Sequence, residues 1–130
     1  MNERYIRQTM IPEIGEAGQE KLKNAKVLIV GIGGLGSPIS LYLTAAGVGQ
    51  IGLIDDDIVS RSNLQRQILY TEAEIGQSKV ECACRRLSAL NSSTRFETYL
   101  NRFTSDNADR LVSAYDIIID GCDNAATRYL

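Results

Sequence analysis

The chain has 130 residues, 44% of them hydrophobic and 23% charged, with a formal net charge of −2. These values describe one ordinary globular domain, 1–130, with one core. They exclude a general electrostatic pull toward nucleic acid or an anionic membrane, and no apolar run approaches the roughly 18 residues of a membrane span.

The first residues, Met1-Asn2-Glu3-Arg4-Tyr5, are polar and lack a signal-peptide core, so a cytoplasmic protein is expected. About 25 residues precede the first strand and form an N-terminal helical segment, with a short helix at Tyr5-Ile6-Arg7-Gln8. Val27-Leu28-Ile29-Val30 is a continuous apolar run ending in glycines. Leu35 to Ala46 follows as a helix that is apolar on most sides, with Pro38 in its first turn. A second apolar run, Ile51-Gly52-Leu53-Ile54, ends in Asp55-Asp56-Asp57.

Ser78 to Leu90 carries Val80, Ala83, Cys84, Leu87 and Leu90 at helical spacing. That stripe puts Cys84 inward and leaves Cys82 off it. From Thr94 to Leu100, Phe96, Thr98 and Leu100 alternate with Arg95, Glu97 and Tyr99, the pattern of a half-exposed edge strand. Asp106 to Ala114 predicts a shorter helix, and Ile117-Ile118-Ile119 a last strand ending in Asp120-Gly121. Short unbroken apolar runs mean strands covered on both faces, as in a parallel sheet. The expected fold is a Rossmann-like doubly wound α/β domain, its first half plus one strand, in strand order 3-2-1-4.

Gly31-x-Gly33-x-x-Gly36 follows a strand and opens a helix. Glycines permit a tight turn there and let backbone N–H groups approach an anion at the positive end of the helix. Asp55, 24 residues after Gly31, closes the second strand, where a carboxylate can accept from both ribose hydroxyls. These two features alone favour NAD or FAD over another nucleotide. Arg66, in Ser62-Asn63-Leu64-Gln65-Arg66-Gln67, and Lys79, near the next helix start, shift the reading to a triphosphate. Its β and γ groups concentrate negative charge that a dinucleotide lacks. Arg66 taken alone reads equally well as a solvated surface residue.

Three cysteines, Cys82, Cys84 and Cys122, form no C-x-x-C pair, and histidine is absent. A structural zinc site in this chain is not expected. A Ser-His or Cys-His nucleophile is excluded.

Eight spaced motifs then stand in one order. They are Arg4-Tyr5-x-Arg7-Gln8, Gly15-x-x-Gly18-Gln19, Gly31-x-Gly33-Gly34-x-Gly36, Ala46-Gly47-Val48-Gly49, Asp55-x-Asp57, Ser62 to Gln67, Gly76-x-x-Lys79 and Asp123-Asn124-x-x-x-Arg128. In this the chain resembles the ThiF/MoeB/HesA adenylyltransferases, bacterial relatives of ubiquitin-activating enzymes. The resemblance implies that ATP and Mg²⁺ are used to adenylate the C-terminal Gly-Gly carboxylate of a ubiquitin-like sulfur-carrier protein. The pathway would be thiamine or molybdopterin biosynthesis, with the look of Asp55-Asp56-Asp57 and Gln67-Ile68-Leu69-Tyr70 leaning to thiamine. A tRNA-modifying member stays open.

The resemblance also implies roles. Gly34 would face the phosphates within the nucleotide-binding loop of Gly31, Gly33, Gly34 and Gly36, and Asp55 would hold the ribose. Arg66 and Lys79 would bind phosphate and offset transition-state charge, with Asn63 and Gln67 as supporting polar groups. Asp57 joins the nucleotide-facing set as a turn or supporting carboxylate rather than a direct ligand. Asp123 would ligate Mg²⁺, with a helix cap as its blander reading. Arg7 resembles an arginine that reaches the γ-phosphate from the opposite subunit of a homodimer. No base is needed, because a carboxylate is already nucleophilic at neutral pH. Family members run roughly twice this length, so the chain reads as a truncated portion that binds ATP weakly and adenylates poorly alone. Zinc-binding C-x-x-C pairs or a reactive loop cysteine would lie beyond Leu130; Cys122 is not that cysteine. A non-catalytic nucleotide-binding or dimerisation module, and an NAD-binding oxidoreductase domain, are the competing readings.

Overall fold

The computed structural model describes residues 3–65, 67, 69–101 and 104–121. Four strands, β1 (Lys26–Val30), β2 (Gln50–Ile54), β3 (Arg95–Tyr99) and β4 (Ile117–Asp120), form one sheet in the order β3-β2-β1-β4. All neighbours run parallel: Val27 pairs with Ile51 and Ile117, and Ile51 with Phe96. Five helices are described: α1 (Ile6–Thr9), α2 (Gly15–Asn24), α3 (Gly36–Ala46), α4 (Lys79–Leu90) and α5 (Ser105–Ala114). The expected Rossmann-type order and its preceding helices are therefore present.

The alternation of side chains along each strand sorts the core into two layers. Val27, Ile29, Ile51 and Leu53 face α4, where Val80, Ala83 and Leu87 are buried. Leu28, Val30 and Ile54 face the other way, against Leu111 of α5 and Tyr115. Sequence runs with no polar interruption were required for this, because both faces are covered.

Four details differ from the sequence expectation. Cys82 is fully buried and Cys84 only half-buried, the reverse of the stripe reading. The segment before α4 folds over that helix flank, bringing Gln77 Oε1 to 3.7 Å from the Cys82 sulfur, and burial pushes its thiol pKa up. In β3, Tyr99 is half-buried whereas Leu100 is 56% exposed. Tyr99 turns toward α5 and its hydroxyl lies 2.9 Å from that of Tyr115, while Arg95, Glu97 and Thr98 stay exposed, in keeping with a half-exposed edge strand. The fully buried side chains of α3 are small and polar, Ser37, Ser40 and Thr44, while its apolar Ile39, Leu41 and Leu43 are only partly buried against the core. β4 is less covered among the described residues than its apolar run suggests, with Ile117 53% exposed.

Candidate nucleotide site at the C-terminal edge of the sheet

β1 ends at Val30 and the chain turns at once. Gly31 has φ 88°, a left-handed conformation that favours glycine, and its N–H donates to Ile54 O at 2.9 Å. Gly36 begins α3 against the Gly31 carbonyl, where an added Cβ would overlap the backbone oxygen. Gly121, just after β4, packs on Gly36 in turn: a Cβ there would lie 2.9 Å from Gly36 Cα. The outer glycines thus serve close packing. Gly33 and Gly34 are half-exposed at the loop's open side.

Two side chains from later in the chain fix the loop between them. Asp55 accepts from Ile32 N–H at 2.8 Å through one carboxylate oxygen and from Asp57 N–H at 2.8 Å through the other. The Tyr70 hydroxyl donates to Ile32 O at 2.7 Å. Burial, first of all, drives the Tyr70 phenol far above its ordinary pKa, so it remains a donor. Both backbone groups of Ile32 are thereby held by side chains. The sequence signal for Tyr70 as a loop anchor was slight, since it followed an apolar pair and carried no motif spacing of its own.

Lys79 opens α4, and its side chain is only 5% exposed. Its ammonium lies 3.4 Å from the Asp57 carboxylate, which is 67% exposed. The backbone supports this pairing. Lys79 N–H donates to Asp57 O at 3.1 Å, Val59 N–H to Gln77 O at 2.9 Å, and Ile58 bridges Ser78. Asn63 ends a short 3₁₀ turn, Arg61–Asn63, and accepts from Ser60 Oγ at 2.6 Å. Gln67 is 3% exposed and stands beside Gly33, with its Nε2 3.4 Å from where a Gly33 Cβ would be. Gln67 Oε1 is buried and has no hydrogen-bond partner among the described residues.

Gly31, Gly33, Gly34, Gly36, Asp55, Asp57, Gln67 and Lys79 are therefore gathered at one end of the sheet, with Asn63 bonded through its carbonyl to Gln67 N–H at 2.9 Å. Arg66 and Asp123, like Cys122 and Arg128, lie outside the described residues. Arg7 is exposed on α1. That helix is tied to the far end of α3 by Gln8, whose Nε2 donates to Ala46 O at 3.0 Å. The length of α3, about 16 Å at 1.5 Å per residue, separates Arg7 from the glycine loop of its own chain.

The arrangement suits a phosphorylated nucleotide. Half-open glycine backbone, a buried cation and an orphaned buried acceptor converge where Rossmann-type sheets take ligands. The donors are hard oxygens, the kind Mg²⁺ takes as one or two carboxylates beside substrate phosphates. Among the described residues no cluster of three or more His, Cys, Asp or Glu could hold a metal.

A parallel 3-2-1-4 sheet with a glycine turn after β1 and a carboxylate after β2 defines a Rossmann-type α/β domain. The ThiF family model matches residues 5–130, and the chain belongs to that family. It is 49% identical over 98% of its length to a sulfur carrier protein adenylyltransferase of Thermus thermophilus, covering 47% of that protein. It is 53% identical over 98% of its length to an adenylyltransferase and sulfurtransferase of Culex quinquefasciatus, covering 29% of it. A solved structure of the E. coli tRNA N6-threonylcarbamoyladenosine dehydratase in complex with ATP superposes with a TM-score of 0.88 at 31% identity, over 94% of this chain and 50% of that one. The chain thus spans less than half the length of these two curated relatives.

Proposed function

We propose that this domain binds ATP at the C-terminal edge of its sheet and supplies the nucleotide side of an enzyme that adenylates the C-terminal carboxylate of a ubiquitin-like sulfur-carrier protein. The observation that carries the reading is Lys79, a nearly fully buried cation beside the acidic turn that Asp55 ties to the glycine loop. A dinucleotide site has no use for a buried ammonium there, whereas a triphosphate does. The names of the Thermus and Culex relatives, and the ATP held by the dehydratase, support the same chemistry.

In the proposed reaction a carboxylate oxygen of the carrier attacks the α-phosphorus. The bond to the α–β bridging oxygen breaks, and pyrophosphate leaves with that electron pair. Gly33 and Gly34 leave room for the phosphates, Asp55 accepts from the ribose, and Lys79 and Arg66 offset the charge that builds on the phosphoryl oxygens. Gln67 and Asn63 line the same pocket. Asp123 would hold Mg²⁺, which would supply charge neutralisation for phosphate oxygens.

Arg7 is assigned to the site of a second copy. Its distance from its own loop supports this, as do the exposed apolar residues Met10 (72%) and Tyr42 (77%) on the elements around it. A cytoplasmic homodimer without nucleic-acid or membrane partners is proposed; among the described residues, no helix is long and apolar enough to cross a membrane. The carrier's pathway, thiamine or molybdopterin, belongs to the same proposal. Calorimetric titration with ATP–Mg²⁺ and with NAD tests the ligand, and binding of NAD alone would overturn it. Carrier-dependent ATP–pyrophosphate exchange tests the reaction.

A further inference from the structure

The Lys79–Asp57 pair carries one consequence beyond ATP binding itself. A buried ammonium with no counter-charge is strongly unfavourable. Among the described residues Asp57 is the carboxylate that compensates Lys79, at 3.4 Å. The two partners are not alike. Lys79 is sealed in, while Asp57 is two-thirds exposed on a turn that is pinned through its backbone rather than its side chain. One partner is therefore fixed and the other is free to swing into water.

Resting on the reading of Lys79 as a phosphate ligand, we infer that Asp57 is a stand-in for the nucleotide phosphate: it holds the Lys79 ammonium in the empty site and competes with the incoming triphosphate for it. Binding exchanges one anion for another on the same cation. Asp57 is thus a positioning residue whose carboxylate keeps the lysine aimed when no ligand is present. It limits the affinity for anions, because a phosphate must displace the Asp57 carboxylate from the Lys79 ammonium before it can pair with that cation. The geometry of the pinned turn leaves Lys79 in place after the exchange, since Lys79 N–H remains bonded to Asp57 O.

The sign of the effect separates this from a purely structural salt bridge. Asp57→Asn keeps the size of the side chain and removes its charge. The chain should then unfold at lower denaturant concentration when empty, because Lys79 loses its counter-charge. Its affinity for ATP in EDTA, measured by calorimetry, should nonetheless rise about three- to tenfold, the range left after solvent screening of an exposed carboxylate. In a Lys79→Met background the same Asp57→Asn change should lose that gain. Affinity that falls or stays level in Asp57→Asn, or a gain that persists without Lys79, overturns the inference. If Lys79→Met alone leaves ATP affinity unchanged, the phosphate assignment of Lys79 fails instead, so the two failures are distinguishable.

Discussion

The two ends of the sheet use similar residue types for opposite purposes. At the N-terminal end, polar side chains close on one another. Gln8 Nε2 donates to Gln19 Oε1 at 2.6 Å, and both glutamines donate to Ala46 O. Asn91 donates to the Tyr5 hydroxyl at 2.7 Å and to Thr44 O at 3.0 Å, and Thr94 to Val48 O at 2.9 Å. Gly47, at φ 97°, ends α3 beneath the Tyr5 ring, where a Cβ would lie 2.7 Å from ring carbon. At the C-terminal end, by contrast, Gly33 and Gly34 stay half-open, Asp57 faces water and Gln67 Oε1 has no partner among the described residues. Motif residues that satisfy each other read as architecture; motif residues left unsatisfied read as a site.

The sharpest way to break this contrast is to remove a glycine at each end. Gly49→Ala would drive a Cβ into Lys23 O, and Gly36→Ala into Gly31 O. Backbone cannot yield cheaply in either place, so each should cost more than about 4 kcal/mol. Denaturant titration showing a loss below about 1 kcal/mol for either would mean that close packing is not what the glycine serves.

Next come the polar residues, where the two ends should part. Lys79→Met should lower carrier-dependent ATP–pyrophosphate exchange by about 100-fold or more, the scale for one preorganised charge-stabilising group. Asn91→Ala should cost about 2–3 kcal/mol of stability, because Tyr5 and Thr44 lose a shared buried donor. It should leave ATP affinity of the folded chain unchanged. Should Asn91→Ala weaken ATP binding tenfold while the chain remains folded, the clasp is coupled to the site and the division between the ends fails. Tyr70→Phe is intermediate: losing the bond to Ile32 O should cost about 1 kcal/mol and weaken ATP binding a few-fold.

How much of this was legible before folding follows the same division. The strand order and the cluster of Gly33, Asp55 and Lys79 were readable, because short apolar runs, a glycine turn and fixed spacing are local signals. What was not readable depended on segments distant in sequence. Cys82 stands off its helix's apolar stripe, yet it is buried, with the loop carrying Gln77 against it. Tyr99 looked outward until α5 brought Tyr115 to it. Lys79 is legible in the sequence as a cation near the next helix start, but its burial and its pairing with Asp57 depend on the bridge between Ile58 and Ser78, which no periodicity announces. Gln8 and Gln19 stand in sequence motifs that by themselves assign them no role; only the packing of α1 and α2 on the end of α3 shows them sharing the Ala46 carbonyl.

The smallest expected effect on stability is the most discriminating, because among the described residues each end holds one buried oxygen without a partner: Thr44 Oγ1 on the clasp side and Gln67 Oε1 at the glycine loop. An unpaired buried acceptor is unfavourable, so replacing either by an apolar group of similar shape should be neutral or stabilise the empty chain by up to about 1 kcal/mol. Thr44→Val and Gln67→Met make those replacements. On stability alone the two should look alike. They should differ in ATP affinity: Thr44 lies fully buried on the inner face of α3, whereas Gln67 sits against Gly33 at the open loop. Gln67→Met is therefore expected to weaken ATP binding about five- to tenfold, the worth of one hydrogen bond made only to ligand, with Thr44→Val unchanged. Equal ATP affinities in both variants would mean that the orphaned Gln67 oxygen is a packing defect like the other, and not an acceptor kept for the nucleotide.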